Sequence, residues 1–239
     1  MKGFSKSADV KNLNLLAIES SAKTASAAVF ENNKLLSEVF INTGLTHSET
    51  LLPLTDRALY EANIKIEDIE KFAVNVGPGS FTGIRIGVSL VKGLAYGKDN
   101  SVAPVSTLES IAYNFIDEDC IVCACMDARR NQTYTALFEC VGGKVNRLRE
   151  DSAISVEDMI FNLKSYSGKI YLAGDGAAVF YEKVASAVDV LLPDDKRLYQ
   201  RASGVGLAAL RNGNFISPDL IVPTYLRLSQ AERELKEKK

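Results

Sequence analysis

Short apolar runs closed by polar or glycine-rich turns alternate along the chain with stretches whose apolar positions recur every three or four residues. Residues 13–19 form a near-continuous apolar run ending in an acidic side chain, the pattern of a buried strand. A short turn at 20–23 leads to a second strand over 24–30. Glu31-Asn-Asn33 then supplies hairpin-turn residues before a third strand over 35–42. Thr46-His-Ser-Glu49 has capping-box spacing and predicts a helix over 46–61, with Leu51, Leu54, Ala58 and Leu59 on one face and Thr55 at its edge. A strand at 72–76 runs directly into Gly77-Pro-Gly-Ser-Phe-Thr-Gly83, a second helix continues to residue 96, and a strand at 102–105 closes the first half.

The same order then returns. Ser106-Thr-Leu-Glu109 has capping-box spacing and opens a linking helix to residue 115. Strands are predicted over 121–127, 133–139 and 144–149, the last two joined by Gly142-Gly143, a strong hairpin signal. A helix over 155–164, a strand over 169–173, the turn Gly174-Asp-Gly176 and a helix over 179–187 follow. A strand over 188–191 and a helix over 203–211 complete the set. Three strands, helix, strand, helix, strand thus occurs twice, without a residue-level repeat. Hairpins feeding strand–helix–strand units imply an α/β chain of two lobes, each a mixed sheet flanked by helices. The corresponding division is a polar leader at 1–12, lobes at 13–105 and 106–217, and a terminal segment with a charged tail at 218–239. The tail, 229–239, reads as a solvated helix, with an RNA-touching basic arm as the sharper alternative.

Composition narrows the function. The 239 residues carry 28 basic and 30 acidic side chains and a net charge of -2, which argues against electrostatic binding of RNA or DNA by this chain alone. No apolar run approaches the roughly 18 residues that span a bilayer, and the leader lacks the apolar core of a signal peptide, so a cytoplasmic protein is expected. The four cysteines, Cys120, Cys123, Cys125 and Cys140, all lie in one stretch that otherwise reads as β-structure. Cys120-Ile-Val-Cys123 has metal or redox spacing, but alternation along a strand sends its two thiols to opposite faces, which favours small buried apolar side chains. His47 is the single histidine, so no multi-histidine metal site exists within one copy, and a serine–histidine–acid triad would have to use it.

The glycine loop at 77–83 lies between strand and helix, where free amides could cradle an anion, yet no Gly-Lys-Ser/Thr follows at P-loop spacing. Its alternative is a tight connection in which glycine tolerates unusual backbone angles. In the next helix Ile84, Ile86, Val88, Leu90, Val91, Leu94 and Ala95 surround nearly the whole circumference, leaving Arg85, Ser89 and Lys92 polar. Such a helix is buried on more than one side. The expectation is a second protein covering it, with Gly83 and Gly87 admitting a close backbone; deep burial within the monomer is the competing explanation.

Leu16-Ala-Ile-Glu-Ser-Ser21, Thr46-His-Ser-Glu-Thr-Leu-Leu-Pro53, Val76-Gly-Pro-Gly-Ser-Phe-Thr-Gly-Ile-Arg85 and Pro223-Thr-Tyr-Leu-Arg227 resemble the TsaB (YeaZ) family over essentially the whole chain after the leader. The resemblance implies the two-lobed actin/Hsp70/sugar-kinase (ASKHA) fold. It also implies a role in forming N6-threonylcarbamoyladenosine beside the anticodon of tRNAs that read codons beginning with A. In that scheme TsaC makes threonylcarbamoyl-adenylate, the paralogue TsaD transfers the group to tRNA, and the ATPase TsaE is a third member. TsaD carries His-x-x-x-His on the equivalent helix, whereas His47 is followed four residues later by Leu51, which cannot ligate a metal.

No catalytic residue, metal or cofactor is therefore expected. Glu19, Asp127, Gly174 and Gly176 are read as weak remnants of nucleotide loops, and ATP or ADP is left only the contact with TsaD. Docking is assigned to His47, Leu51, Leu54, Ala58, Arg85, Ser89 and Lys92, with homodimerisation through the same surface when TsaD is absent and only indirect contact with tRNA. The rival reading is an active ATP-dependent transferase or phosphotransferase using Glu19 or Asp127. A third, a peptidase, would make His47 essential.

Overall fold

A computed structural model describes residues 13–129 and 131–227. The polar leader and the charged tail lie outside the described residues. The first sheet is five-stranded, in the order β3 (Lys34–Ile41), β2 (Ala25–Glu31), β1 (Asn14–Glu19), β4 (Lys71–Gly77), β5 (Ser101–Ser106). β1 runs antiparallel to β2 and parallel to β4, with Leu16 opposite Val29 on one side and Phe72 on the other. The second sheet repeats this plan with four strands, in the order β8 (Lys144–Ser155), β7 (Gln132–Val141), β6 (Cys120–Asp127), β9 (Ile170–Ala173). Two mixed sheets of one topology, each flanked by helices, make the ASKHA fold. The 188–191 segment does not form the expected fifth strand, because only Leu191 bridges Tyr171.

Alternation along β1 separates two cores. Leu16 and Ile18 face α1 (His47–Ala62) and α2 (Phe81–Ala95), whereas Leu15 and Ala17 face α7 (Ala202–Asn212). α7 was expected to complete the second lobe, and it lies instead across the first sheet. Its N-terminal amides are satisfied from that sheet, Ala202 N by Ser26 Oγ at 2.8 Å and Ser203 N by Glu38 Oε1 at 2.8 Å. A Cβ on Gly206 would strike the Phe30 ring, so glycine is what lets the helix lie this close. α3 (Thr107–Ala112), with the 3-10 turn Tyr113–Phe115, makes the reverse crossing and packs on β6 and β7. The other face of the second sheet is covered by α4 (Val156–Leu163) and α5 (Ala177–Ala185). A single turn, α6 (Asp195–Leu198), unforeseen in the sequence, connects this region to α7.

Capping follows the sequence only in part. Ser106 and Ser155 accept from Glu109 N and Asp158 N as the spacing predicts. At α1, Thr46 Oγ1 instead bonds Glu49 Oε2 at 2.6 Å and caps no backbone amide. Gly142 and Gly143 turn the β7–β8 hairpin with φ of 56° and 73°, angles that disfavour a side chain. Among the described residues no helix is long and apolar enough to cross a membrane.

Candidate functional site

The lobes enclose a cleft of about 720 Å³ lined by the 21–24 turn, the glycine loop, the end of β6, the start of α5 and residues 224–227. Phosphate binding here would need free backbone amides, and several of those around the cleft are already bonded. At the end of β1, Ser21 N donates to both carboxylate oxygens of Glu19, at 2.9 and 3.1 Å, and Ser21 Oγ bonds the same group. An internal carboxyl group thus takes up the Ser21 amide. Ser80 N donates to Ser21 O at 2.7 Å, and the Ser80 hydroxyl caps α2 by accepting from Gly83 N. In the second lobe Arg129 N is held by Asp127 Oδ1 at 2.8 Å, Gly176 N by Cys125 O at 3.2 Å and Gly174 N by Leu198 O at 2.6 Å.

Electrostatics point the same way. Glu19 is fully buried and does not line the cleft, so it cannot reach a metal–nucleotide bound there. Burial pushes its carboxyl up to about 7, against the opposing hydrogen bonds from Ser21. Asp175, on the cleft wall and bonded by Gln200 Nε2, is also raised, first by burial and then by Asp127. Of the expected remnants only Asp127 lines the cleft; Glu19 is bonded by Ser21, and the Gly174 and Gly176 amides by Leu198 O and Cys125 O.

The glycines of the first loop serve the chain itself. A Cβ on Gly79 would meet Ser21 O, on Gly83 Ser20 O and the His47 ring, and on Gly87 Ser20 Oγ. Gly83 and Gly87, expected to admit a partner's backbone, thus admit the turn after β1. The His47 Nε2–H donates to Ala22 O at 2.7 Å. That bond uses the ring nitrogen a hydrolytic serine would need, and Leu51 sits in the core four residues on, so neither a triad nor a two-histidine ligand set is built on α1.

The assigned docking residues divide. Leu51, Leu54 and Ala58 are 1%, 7% and 0% exposed, because they form the stripe of α1 that packs on the first sheet; they cannot meet a partner without unfolding. The outward side of α1 carries Leu52 and Tyr60, which the sequence reading missed because a single stripe of apolar periodicity marks the core-facing side. Around α2, Ile84, Val88 and Val91 face the sheet, and Ile86, Leu90 and Leu94 are half-buried. Ile221, beside the 3-10 turn Pro218–Leu220, packs in the same core. Burial within the monomer thus accounts for most of the apolar circumference. Thr82, Arg85, Ser89 and Gly93 form the exposed strip. Arg85 stacks on Phe81, its Nε donates to Tyr225 Oη at 2.8 Å, and Phe81 stacks on Tyr225. Lys92 Nζ reaches Asp219 O at 3.4 Å.

Residues 224–227 form a strap across the cleft mouth. Thr224 N donates to Val76 O at 2.6 Å in the first lobe, and Arg227 Nη1 donates to Ala128 O at 2.8 Å in the second. The Cys120-x-x-Cys123 spacing does not chelate, since Cys120 packs on the α3 side of the sheet and Cys123 on the α4–α5 side.

Comparison with known proteins adds the wider context. A family model described as TsaD, tRNA N6-adenosine threonylcarbamoyltransferase, matches residues 34–234. The chain is 27% identical over 232 residues to the tRNA threonylcarbamoyladenosine biosynthesis protein TsaB of Bacillus subtilis, covering 92% of this chain and 96% of that protein. Identity to the Haemophilus influenzae protein of the same name is 29% over 236 residues, covering 91% and 95%. A crystal structure from Pseudomonas aeruginosa, described as an uncharacterized protein with similarity to peptidase YEAZ, superposes with a TM-score of 0.77 at 25% identity, covering 90% of this chain and 100% of that one.

Proposed function

We infer, from the premise that the chain belongs to the TsaB (YeaZ) family, that it takes part in forming N6-threonylcarbamoyladenosine in tRNA as the non-catalytic partner of a TsaD-type transferase. The observation that carries the non-catalytic reading is the buried Glu19 carboxyl at the end of β1, bonded by Ser21 and absent from the cleft lining. A chain whose first-turn acid is sealed from the cleft in this way supplies a surface rather than a reaction. It uses no cofactor of its own, and ATP or ADP in the assembly belongs to the contact with TsaD.

The surface that suits TsaD is the outward side of α1 and α2. Ser89 at its centre has no large side chain, half-buried Ile86 and Leu90 flank it, and His47, Arg85 and Lys92 stand at its margins, with Leu52 and Tyr60 on α1. Removing such apolar area from water stabilises a complex by about 25 cal/mol per Å² before the costs of association. The same face pairs with a second copy when TsaD is absent, TsaE joins the assembled complex, and tRNA is met through TsaD in the cytoplasm.

Reconstitution with purified TsaC, TsaD and TsaE, tRNA, threonine, bicarbonate and ATP tests the reading. Modified nucleoside should accumulate only when this chain is added, and equal accumulation without it would refute the role. Calorimetry and an ATP-turnover assay on the chain alone separate the rival transferase, which requires both micromolar binding and turnover. Ser89→Arg, at an exposed position, should lose co-purification with TsaD while circular dichroism stays unchanged.

A further inference from the structure

β6 and β7 bring together two thiols for which the proposed function has no use. Cys120, the first residue of β6, stands in register opposite Cys140 of β7. Residues directly opposite on antiparallel strands have Cα atoms about 4.5–5.5 Å apart, within the roughly 4.4–6.8 Å that a disulfide spans. Both side chains point into the cluster packed on α3, and the Cys140 thiol also reaches Ala112 O at 3.5 Å. The other two cysteines are on the opposite face and have no thiol across from them, since Cys123 is paired with Leu137 and Cys125 with Thr135. The sheet thus isolates one thiol pair from the other cysteines. It lies at the end of β6 away from the cleft, separated from it by roughly 20 Å of strand.

The two members differ. Cys120 is 7% exposed and Cys140 1%, so the approach from solvent is to Cys120. The hydrogen bond from Cys140 holds the Cys120 thiol below its ordinary value; burial and Glu118 oppose this, and Lys169 and Arg197 add to it. The same hydrogen bond, with burial, holds Cys140 above its ordinary value. Cys123 is pushed up to about 12 by burial and is inert by comparison.

We propose that Cys120 and Cys140 are a thiol-modification site, closing to a reversible intrachain disulfide when the protein meets hydrogen peroxide. The Cys120 thiolate attacks one peroxide oxygen and breaks the O–O bond. This gives Cys120 sulfenic acid and a hydroxide that takes up the thiol proton to become water. The Cys140 sulfur then attacks the Cys120 sulfur; the S–S bond forms, the S–OH bond breaks, and its oxygen leaves as water with the Cys140 proton. Two thiols and one peroxide become one disulfide and two waters, with two electrons passing to the peroxide. A dithiol reverses the step by exchange.

The test uses the full-length protein treated with hydrogen peroxide, alkylated after denaturation and mapped by peptide mass spectrometry. The expected product is a single Cys120–Cys140 cross-link with a mass loss of about 2 Da, fully reversed by dithiothreitol, with Cys123 and Cys125 recovered as thiols. Lys169→Met should slow cross-linking about three- to ten-fold by removing a cation beside Cys120. In Cys140→Ser, Cys120 should proceed to sulfinic acid, for want of a resolving thiol. Recovery of both wild-type thiols unmodified, a cross-link to Cys123 or Cys125, or sulfinic acid at Cys120 in the wild type would each overturn the proposal.

Discussion

In the first lobe β1, β2 and β4 are buried almost end to end, with α1 and α2 on one face and α7 on the other. In the second lobe α4 and α5 cover one face and α3 the other, while β8 remains largely open to solvent along its length. The lobes share a topology, but the first takes a helix from the end of the chain to complete its core. The β4–α2 and β9–α5 loops stand in corresponding places, and both use their glycines to bring the helix close to the chain's own backbone, at Ser20 and Ser21 in one and at Cys125 and Met126 in the other. The first is crossed by the 224–227 strap, and beside it runs the exposed α2 strip Thr82, Arg85, Ser89 and Gly93. Two copies of one topology thus differ in which distant segments complete their cores.

The sharpest way to break this contrast is to compare the two sides of α1. Leu51→Ala should cost about 2–5 kcal/mol of unfolding free energy, because it empties a core position, whereas Leu52→Ala should stay within about 0.5 kcal/mol. Urea denaturation reads both, and equal losses would mean that the core and outward sides are wrongly assigned.

Glu19 gives the next largest effect. Its folded value of about 7 lies above the ordinary 4.5, so the folded state holds an extra proton between those values. Stability is then fullest below the lower value and is lost as pH rises through the upper one, by about 3 kcal/mol in all. Denaturation of the wild type from pH 4.5 to 8 should show that decline, and Glu19→Gln should flatten it. A wild type that gains stability over this range would contradict the buried carboxyl.

Smaller effects test how the lobes are joined. Gly206→Ala should cost about 1–3 kcal/mol by driving a methyl into the Phe30 ring, a loss read in the same denaturation series. Tyr225→Leu, which removes the stack on Phe81 and the bond from Arg85, should cost about 0.5–1.5 kcal/mol. It should also raise hydrogen exchange at Thr224 more than in the second sheet. Uniform exchange throughout would remove the strap's local role.

Much of the fold was legible along the chain. Strand periodicity, the Gly142-Gly143 turn and the Ser106 and Ser155 caps depend on neighbours within a few residues, and they stand where the sequence puts them. The faces of β6 were legible too, since alternation alone sends Cys120 and Cys123 apart. The burial of the residues expected to dock was only partly legible. Apolar spacing identified Leu51, Leu54 and Ala58 as one stripe but could not say whether a sheet or a partner covers it.

The amino-acid order by itself determined the succession of strands and helices, the doubled plan and the family to which the chain belongs, because those rest on local conformational preference and on strings of adjacent residues. Tertiary structure alone decided that α7 crosses to the first sheet and takes its caps from Ser26 and Glu38, 176 and 165 residues away along the chain. It also decided that the segment around Ile221 covers α2, and that Glu19 is sealed from the cleft. Each depends on which distant groups exclude water together, and no window of neighbouring residues contains that information.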